Sequence, residues 1–292
     1  MMYKKGMGEH VFDSFNYLIL SLLLVITLYP CYYVLVASVS NPVKIFASNG
    51  LLFYPKDFAL YTYTEVFKSA PIWNGYKNTI IYVLSGGFIS VSLTTTAAYA
   101  LTRRGLPGKK TIMFLILFTM YFSGGLIPNY LVVKGLGLLD TPFAMIIPNA
   151  VTTFNLIITI SYFRGLPYEL EEAAKIDGAN DYTVLFRIML PLAKPIVAVI
   201  SLYYMVSIWN GFFHALIYLN KRRLFPLQLI LREILIKNDT ASITTAQPDQ
   251  AQAYAENVKY ATIVVATVPI LCVYPFLQRY FVKGVTIGAV KG

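Results

Sequence analysis

The sequence predicts an all-α membrane protein with six transmembrane helices, and two observations carry that prediction. The first is composition. Of the 292 residues 57% are hydrophobic and only 13% charged, with a mean hydropathy of +0.60, whereas soluble domains carry about 25% charged residues. The second is segregation of the charges. Residues 14–43, 78–102, 111–133, 141–163, 195–220 and 260–278 contain no Asp, Glu, Lys or Arg. Each run approaches or exceeds the roughly 20 residues that a helix needs to cross the hydrocarbon core.

The runs place spans near 14–40, 78–102, 111–133, 141–163, 190–214 and 260–280, in a single transmembrane domain over 1–292. They are apolar throughout and do not alternate, so helices are expected rather than the strands of a closed barrel. The first run is too long for a cleaved signal and no small-residue cleavage site follows it.

The net charge of +10 does not point to nucleic acid in such a chain. Arg103, Arg104, Lys109 and Lys110 crowd the short loop between the second and third spans with no acid among them. The next short loop carries only Lys134 and Asp140. With Lys4 and Lys5, this bias places the N-terminus, the second–third loop, the fourth–fifth loop and the C-terminus in the cytoplasm. Residues 41–77 and 215–258 are then external loops. The first, with Pro42, Pro55 and Pro71, reads as an irregular cap. In the second, Leu227, Leu231, Ile234 and Leu235 fall at helical spacing, and 240–252 reads as a mobile polar stretch. Cys31 and Cys272 both fall in predicted spans and are expected to pack as small apolar residues rather than pair.

Residues 166–195 form the informative loop. Pro167 suits a first helical turn, and Glu169, Glu171 and Glu172 favour the positive end of the helix dipole. Gly178 can close the helix in a left-handed conformation. A helix of about three turns outside the bilayer is expected. Ala173 and Ala174 would allow close approach of another protein, and Leu170 and Ile176 would add apolar contact.

Glu172-Ala173-Ala174, three residues, Gly178, nine residues, then Ile188, Leu190 and Pro191 resembles the EAA loop of ABC importer permeases. Asp177, Ala179, Phe186 and Pro195 match its wider form. The resemblance continues in Ser123-Gly124-Gly125-Leu126-Ile127-Pro128, Trp209-Asn210, Phe225-Pro226-Leu227-Gln228-Leu229 and the terminal segment 284–292. It is to the carbohydrate branch that includes maltose-type second permeases, nearest the lipo-oligosaccharide, aldouronate and alginate oligosaccharide subgroup. Where many sugar permeases carry an acid after Trp-Asn, this chain has Gly211, so maltose contacts do not transfer residue by residue.

The resemblance implies a type I ABC importer permease fold with a cytoplasmic coupling helix. In it, Glu172, Ala173, Ala174, Asp177 and Gly178 would meet the ATPase, as would a C-terminal tail at 288–292. It implies the bacterial cytoplasmic (inner) membrane, a heterodimer with a second homologous permease, two ATPase subunits, an extracytoplasmic solute-binding protein and an oligosaccharide substrate. No Gly-x-x-x-x-Gly-Lys-Ser/Thr motif is present. No cofactor is expected on this chain, with ATP and Mg at the partner ATPase and no enzymatic activity here.

Candidates for the translocation path are polar and aromatic residues of the spans. They are Asn129 and Tyr130, then Asn149, Thr152, Thr153 and Asn155, then Tyr203, Tyr204, Ser207, Trp209, Asn210 and His214. The same residue types also join membrane helices to one another, so both readings stay open for each. Three alternatives accompany this account. A permease for neutral, maltodextrin-like sugars shares all its features. An ion-coupled secondary transporter would place acids or bases within the spans, with His214 as a proton relay, but the uncharged runs hold none. A membrane-embedded enzyme lacks its parts, since His10 and His214 are the only histidines and no carboxylates pair within a span. The Lys221-Arg222-Arg223 run is either a solvated loop or an attractor of acidic sugar or binding protein.

Overall fold

The structure, a computed structural model, describes residues 6–46, 51–237 and 251–289, with backbone alone at 237, 251–252 and 273–289. Lys4, Lys5, most of the polar stretch 240–252 and residues 290–292 of the C-terminal segment lie outside the described residues. Among these residues there is no β-strand, only one bridge between Ser40 and Phe58. In chain order the helices are α1 (Met7–Ser38), α2 (Pro42–Phe46), α3 (Tyr61–Lys68), α4 (Ala70–Thr102), α5 (Lys109–Tyr121), α6 (Leu126–Gly135) and α7 (Phe143–Ile146). There follow α8 (Thr153–Arg164), α9 (Glu169–Ile176), α10 (Asp181–Leu192, with a π-turn inside it), α11 (Lys194–Trp209), α12 (Phe213–Tyr218), α13 (Leu227–Lys237) and α14 (Ala251–Ala289).

Among the described residues three helices are long and apolar enough to cross a membrane: α1, α4 and the Ala253–Cys272 part of α14. Three further pairs qualify if each bent pair counts as one span, which gives up to six. The breaks have local causes. Between α5 and α6 the axis turns by 120° at Gly125, whose φ of 83° and ψ of 179° suit glycine alone. Between α7, with its 3-10 extension through Pro148, and α8 it turns by 52°, with Thr152 extended. Between α10 and α11 it turns by 84°, where Pro191 and Pro195 remove backbone donors on either side of Ala193. The fifth run also stops earlier than an unbroken span would. α11 ends at Trp209, Asn210 caps it, and His214 sits on the separate helix α12.

The chain divides into two compact units, Met1–Ala70 with Glu233–Thr267, and Pro71–Arg232 with Val268–Gly292. In the first, Asn257 is buried and organises the end of α1. Its Nδ2 donates to the carbonyls of Ala37 at 2.8 Å and Ser40 at 3.4 Å, and Thr62 donates to its Oδ1. Val36, Ala37 and Leu52 form a small core there with Tyr33 and Tyr260 against it. Most of α1 is exposed and apolar on all sides, from Val11 to Leu28, as befits a helix solvated by lipid or by another subunit.

In the second unit α4 buries a face of small and polar residues that includes Gly75, Gly86, Gly87, Ser90, Thr94 and Ala98. Helices in lipid gain little from apolar burial and associate through close packing and interhelical hydrogen bonds, and α4 shows both. A Cβ on Gly75 would lie 2.7 Å from Ile230 Cδ1 and 3.0 Å from Leu227 Cα. Thr79 accepts the Leu227 N–H at 2.8 Å. α13, expected from its leucine spacing, is thereby seated on α4. At the other end of α4 a core gathers Tyr99 and Leu101 with Leu156, Ile160 and Phe163 of α8, Val184 and Leu185 of α10, and Ala174 of α9.

Candidate functional site

α9 is built by its ends. Tyr168 precedes it, Glu169, Glu171 and Glu172 occupy the first turn, and the Tyr168 carbonyl accepts the N–H groups of Glu171 and Glu172 at 3.0 and 3.2 Å. At the other end Gly178 takes φ +82°. Its N–H donates to Lys175 O at 3.0 Å, and the Ala179 N–H donates to Ala174 O at 2.9 Å. Both bonds satisfy terminal carbonyls in a Schellman closure. The helix has eight residues, about two turns rather than the three the sequence suggests, because Pro167 stays outside it.

The faces of α9 divide the expected coupling residues. Ala174 is buried in the core with Val184 and Leu185, so it faces inward. Glu172, Ala173, Asp177 and Gly178 are exposed, together with Leu170 and Ile176, the last 86% exposed. A surface of small, apolar and acidic residues thus points away from the protein.

The inward face holds a residue that the sequence did not single out. Glu171, only 3% of whose side chain is exposed, forms an ion pair with Arg103 just past the end of α4, and its other oxygen meets Lys175 Nζ at 3.0 Å. Arg103 is itself held. Its Nε donates to Tyr99 O at 3.3 Å, its Nη2 to Thr102 Oγ1 at 3.1 Å, and its guanidinium lies 4.2 Å from the Tyr99 ring centroid. Lys109 donates to the Arg103 carbonyl at 3.2 Å. Arg104 covers the Tyr168 ring at 3.9 Å. Removing one member of such a buried pair leaves a charge uncompensated and costs about 3–5 kcal/mol.

The polar residues of the spans fall into separate groups. Asn129, Asn149 and His214 line one cavity of about 170 Å³ with Tyr218. Asn149 Nδ2 donates to His214 Nδ1 at 3.4 Å. The Tyr218 ring stacks with those of His214 and Tyr130, with centroids 5.8 and 6.4 Å away and near-parallel planes. Tyr204 is a second centre. Its hydroxyl pairs with Thr94 Oγ1 at 2.7 Å and accepts the Thr152 N–H at 3.1 Å. Thr153 Oγ1 lies 3.2 Å from Thr119 Oγ1, Asn155 is buried, and Tyr203 packs its ring 6.1 Å from Phe154. Trp209 packs against Tyr76 with centroids 6.5 Å apart, while Ser207 and Asn210 are exposed. Sequence reasoning missed Tyr218, Thr94 and Thr119, which only the packing of distant helices reveals.

Comparison with known proteins now gives this geometry a setting. Residues 55–287 match the family model of the binding-protein-dependent transport system inner membrane component. Protein LplC of Bacillus subtilis is 43% identical over 282 residues, covering 97% of this chain and 95% of the relative. The polygalacturonan/rhamnogalacturonan transport system permease protein YtcP of the same organism is 40% identical over 291 residues, covering 98% of this chain and all of the relative (100%). A crystal structure of a bacterial ABC transporter involved in the import of the acidic polysaccharide alginate contains a chain that is 32% identical. The match has a TM-score of 0.88 and covers 96% of this chain and 100% of that one. The chain belongs to the family of inner-membrane components of binding-protein-dependent transport systems, and is a multi-pass permease subunit rather than an enzyme.

Proposed function

We propose that this chain is one permease half of an importer that moves acidic oligosaccharides into the cytoplasm, driven by ATP hydrolysed with Mg on partner ATPases. The observation that carries the reading is α9, a capped helix anchored on one face and bare on the other, where Leu170, Ala173 and Ile176 meet solvent. That is the surface a soluble ATPase would need, with Glu172, Ala173, Asp177 and Gly178 at the contact and Ala174 shaping it from below. α9 and both termini are assigned to the cytoplasmic side, following the basic loop 103–110. A second homologous permease, two ATPase subunits and an external binding protein complete the machine. ATP binding favours one of its two states and so supplies the shift that a conformational cycle requires.

Similarity over nearly the whole chain to permeases named for polygalacturonan and for alginate supports a substrate bearing carboxylates. A second observation points the same way. Asn74 and Asn78 donate to the Arg223 carbonyl at 2.9 and 2.8 Å, and Tyr82 donates to that of Leu224 at 2.8 Å. The exposed turn with Lys221, Arg222 and Arg223 is therefore held in place at the assigned outer side, where its field would attract anions. The cavity of Asn129, Asn149 and His214, flanked by stacked Tyr130 and Tyr218, offers the hydrogen bonds and aromatic faces that sugars use.

Reconstituted with its partner permease, ATPase and binding protein, the chain is expected to support faster ATP hydrolysis with an oligogalacturonide or alginate oligosaccharide than with a maltodextrin. Stimulation by maltodextrin alone would favour the neutral-sugar alternative. Stimulation by neither would overturn the oligosaccharide assignment.

A further inference from the structure

A two-turn helix can transmit force only through what holds it. On its N-terminal side α9 is joined to α8 by residues 165–168, a short connection without helical structure. Its own apolar anchor is Ala174, which offers a single methyl group to the core. Its tie to α4 is the Glu171–Arg103 ion pair, with Glu171 buried and Arg103 largely covered, 3% and 17% of the side chains exposed. Arg103 in turn is fastened to the last turn of α4 through Tyr99 O, Thr102 Oγ1 and the Tyr99 ring.

We propose that Glu171 and Arg103 are positioning residues for the transport cycle, a clasp that makes α9 and the end of α4 move as one body. The inference rests on the reading of α9 as the ATPase-docking helix, and it adds the route by which displacement of that helix leaves it. A buried charge pair suits the task. It is directional, it strengthens where water is excluded, and the planar guanidinium fork resists rotation better than an ammonium would. Lys175 completes the arrangement. It meets the second Glu171 oxygen and also Asp181 at 3.5 Å, which ties the first turn of α10 to the same carboxylate cluster. From the clasp, α4 runs back to Thr94, whose hydroxyl meets Tyr204 of α11, and Tyr204 also takes the Thr152 N–H at the break before α8. α4 therefore connects the docking helix to two of the three bent spans that hold path candidates. Glu172, Ala173 and Asp177 touch the outside. Glu171 carries their motion inward.

The test uses the assembled importer with Cys31 and Cys272 replaced by serine and spin labels at Glu169→Cys on α9 and Ala100→Cys on α4. Distances are measured without nucleotide and with ATP–vanadate. With the clasp intact, the distance distribution is expected to be the same in both states. Glu171→Gln and Arg103→Gln are each expected to broaden it at least twofold with ATP–vanadate, and the double variant to do no more than either alone. A nucleotide-dependent distance in the otherwise unaltered importer, or an unchanged distribution in both variants, would overturn the clasp. If Glu171→Gln does not assemble, Arg103→Lys keeps the charge, loses the fork and carries the same comparison. ATPase that fails to associate with the unaltered permease would instead refute the docking reading, an outcome read from the purified complex before any distance is measured.

Discussion

The carboxylate of Asp140 accepts the backbone N–H of Lys221 at 3.0 Å, and with the same oxygen that of Asn220 at 2.5 Å. Asp140 itself adopts φ 57°, and its N–H donates to the Tyr218 carbonyl at 3.0 Å. One aspartate thus joins the loop before α7 to the turn after α12, and sets where the Lys221–Arg223 cations begin. The backbone donors of Asn220 and Lys221 hold its carboxyl below the ordinary carboxylate range.

A pH dependence with a definite sign follows. Because the folded state favours the charged form, the stabilisation is complete above the ordinary value of 3.8 and is lost as pH falls from there through the lowered folded value. Amide hydrogen exchange at Asn220 and Lys221, corrected for intrinsic rates, is expected to be flat from neutral pH down to about 5 and to rise only in stronger acid. Asp140→Asn is expected to exchange severalfold faster at neutral pH, with the difference closing in strong acid. Equal rates in the two proteins at neutral pH would show that the carboxylate does not hold the turn.

Gly178 gives a prediction about backbone alone. A Cβ there would meet nothing within 4 Å, so a substitution pays only for φ +82°. Gly178→Val is expected to cost about 1–2 kcal/mol of local stability. Every 1.4 kcal/mol is about tenfold in an equilibrium, so ATPase affinity should fall by about tenfold while the melting of the membrane helices barely moves. Gly178→Asn, which tolerates the left-handed region better, should lose less. Titrating purified ATPase onto the permease in nanodiscs measures both.

Gly75 gives the contrasting prediction about packing. Its missing Cβ is where α13 approaches α4, and the nearest atoms include the Leu227 backbone. Gly75→Ala should overpack this contact and destabilise the fold by about 1–3 kcal/mol, seen as a lower unfolding temperature in detergent.

The Tyr204 hydroxyl tests whether the polar residues of the spans act as interhelical joints. Tyr204→Phe strips the Thr94 hydroxyl, which is fully buried at 0% exposure, of the partner at 2.7 Å. The expected cost is about 1–3 kcal/mol. Adding Thr94→Val removes that orphan but leaves the Thr152 N–H without its acceptor, so it should restore only part of the loss, measured by thermal unfolding of the single and double variants.

These residues also mark how far the sequence could be read. Gly178 was legible because glycine takes the left-handed backbone of a helix end most readily, and Leu227 to Leu235 because one apolar stripe at helical spacing has one outcome. The interruptions at Gly125, Pro148 and Pro195 were not anticipated, because the spans were read as unbroken. Charge-free runs conceal them, since lipid solvates a broken span and a straight one alike. His214 was assigned to the fifth span for the same reason, with Asn210 and Gly211 read through as helix. The Arg103–Glu171 pair was not legible at all. Glu171 looked like any acid in a first helical turn, and its partner lies far along the chain, brought close only by α4 and α8 sharing a core. The division of Ala173 from Ala174 was missed similarly: adjacent residues on a helix point 100° apart, and only the packing says which one faces in.

The most direct test of the account is photo-crosslinking from α9. A photoreactive amino acid at Ile176, the most exposed large apolar residue of that helix at 86%, would be activated in cells producing the whole importer. The account predicts one dominant adduct, with an ATPase subunit, and none from the same probe placed at Lys221. Capture of the external binding protein from Ile176, or an ATPase adduct from Lys221, would contradict both the docking face and the orientation on which the proposed function stands.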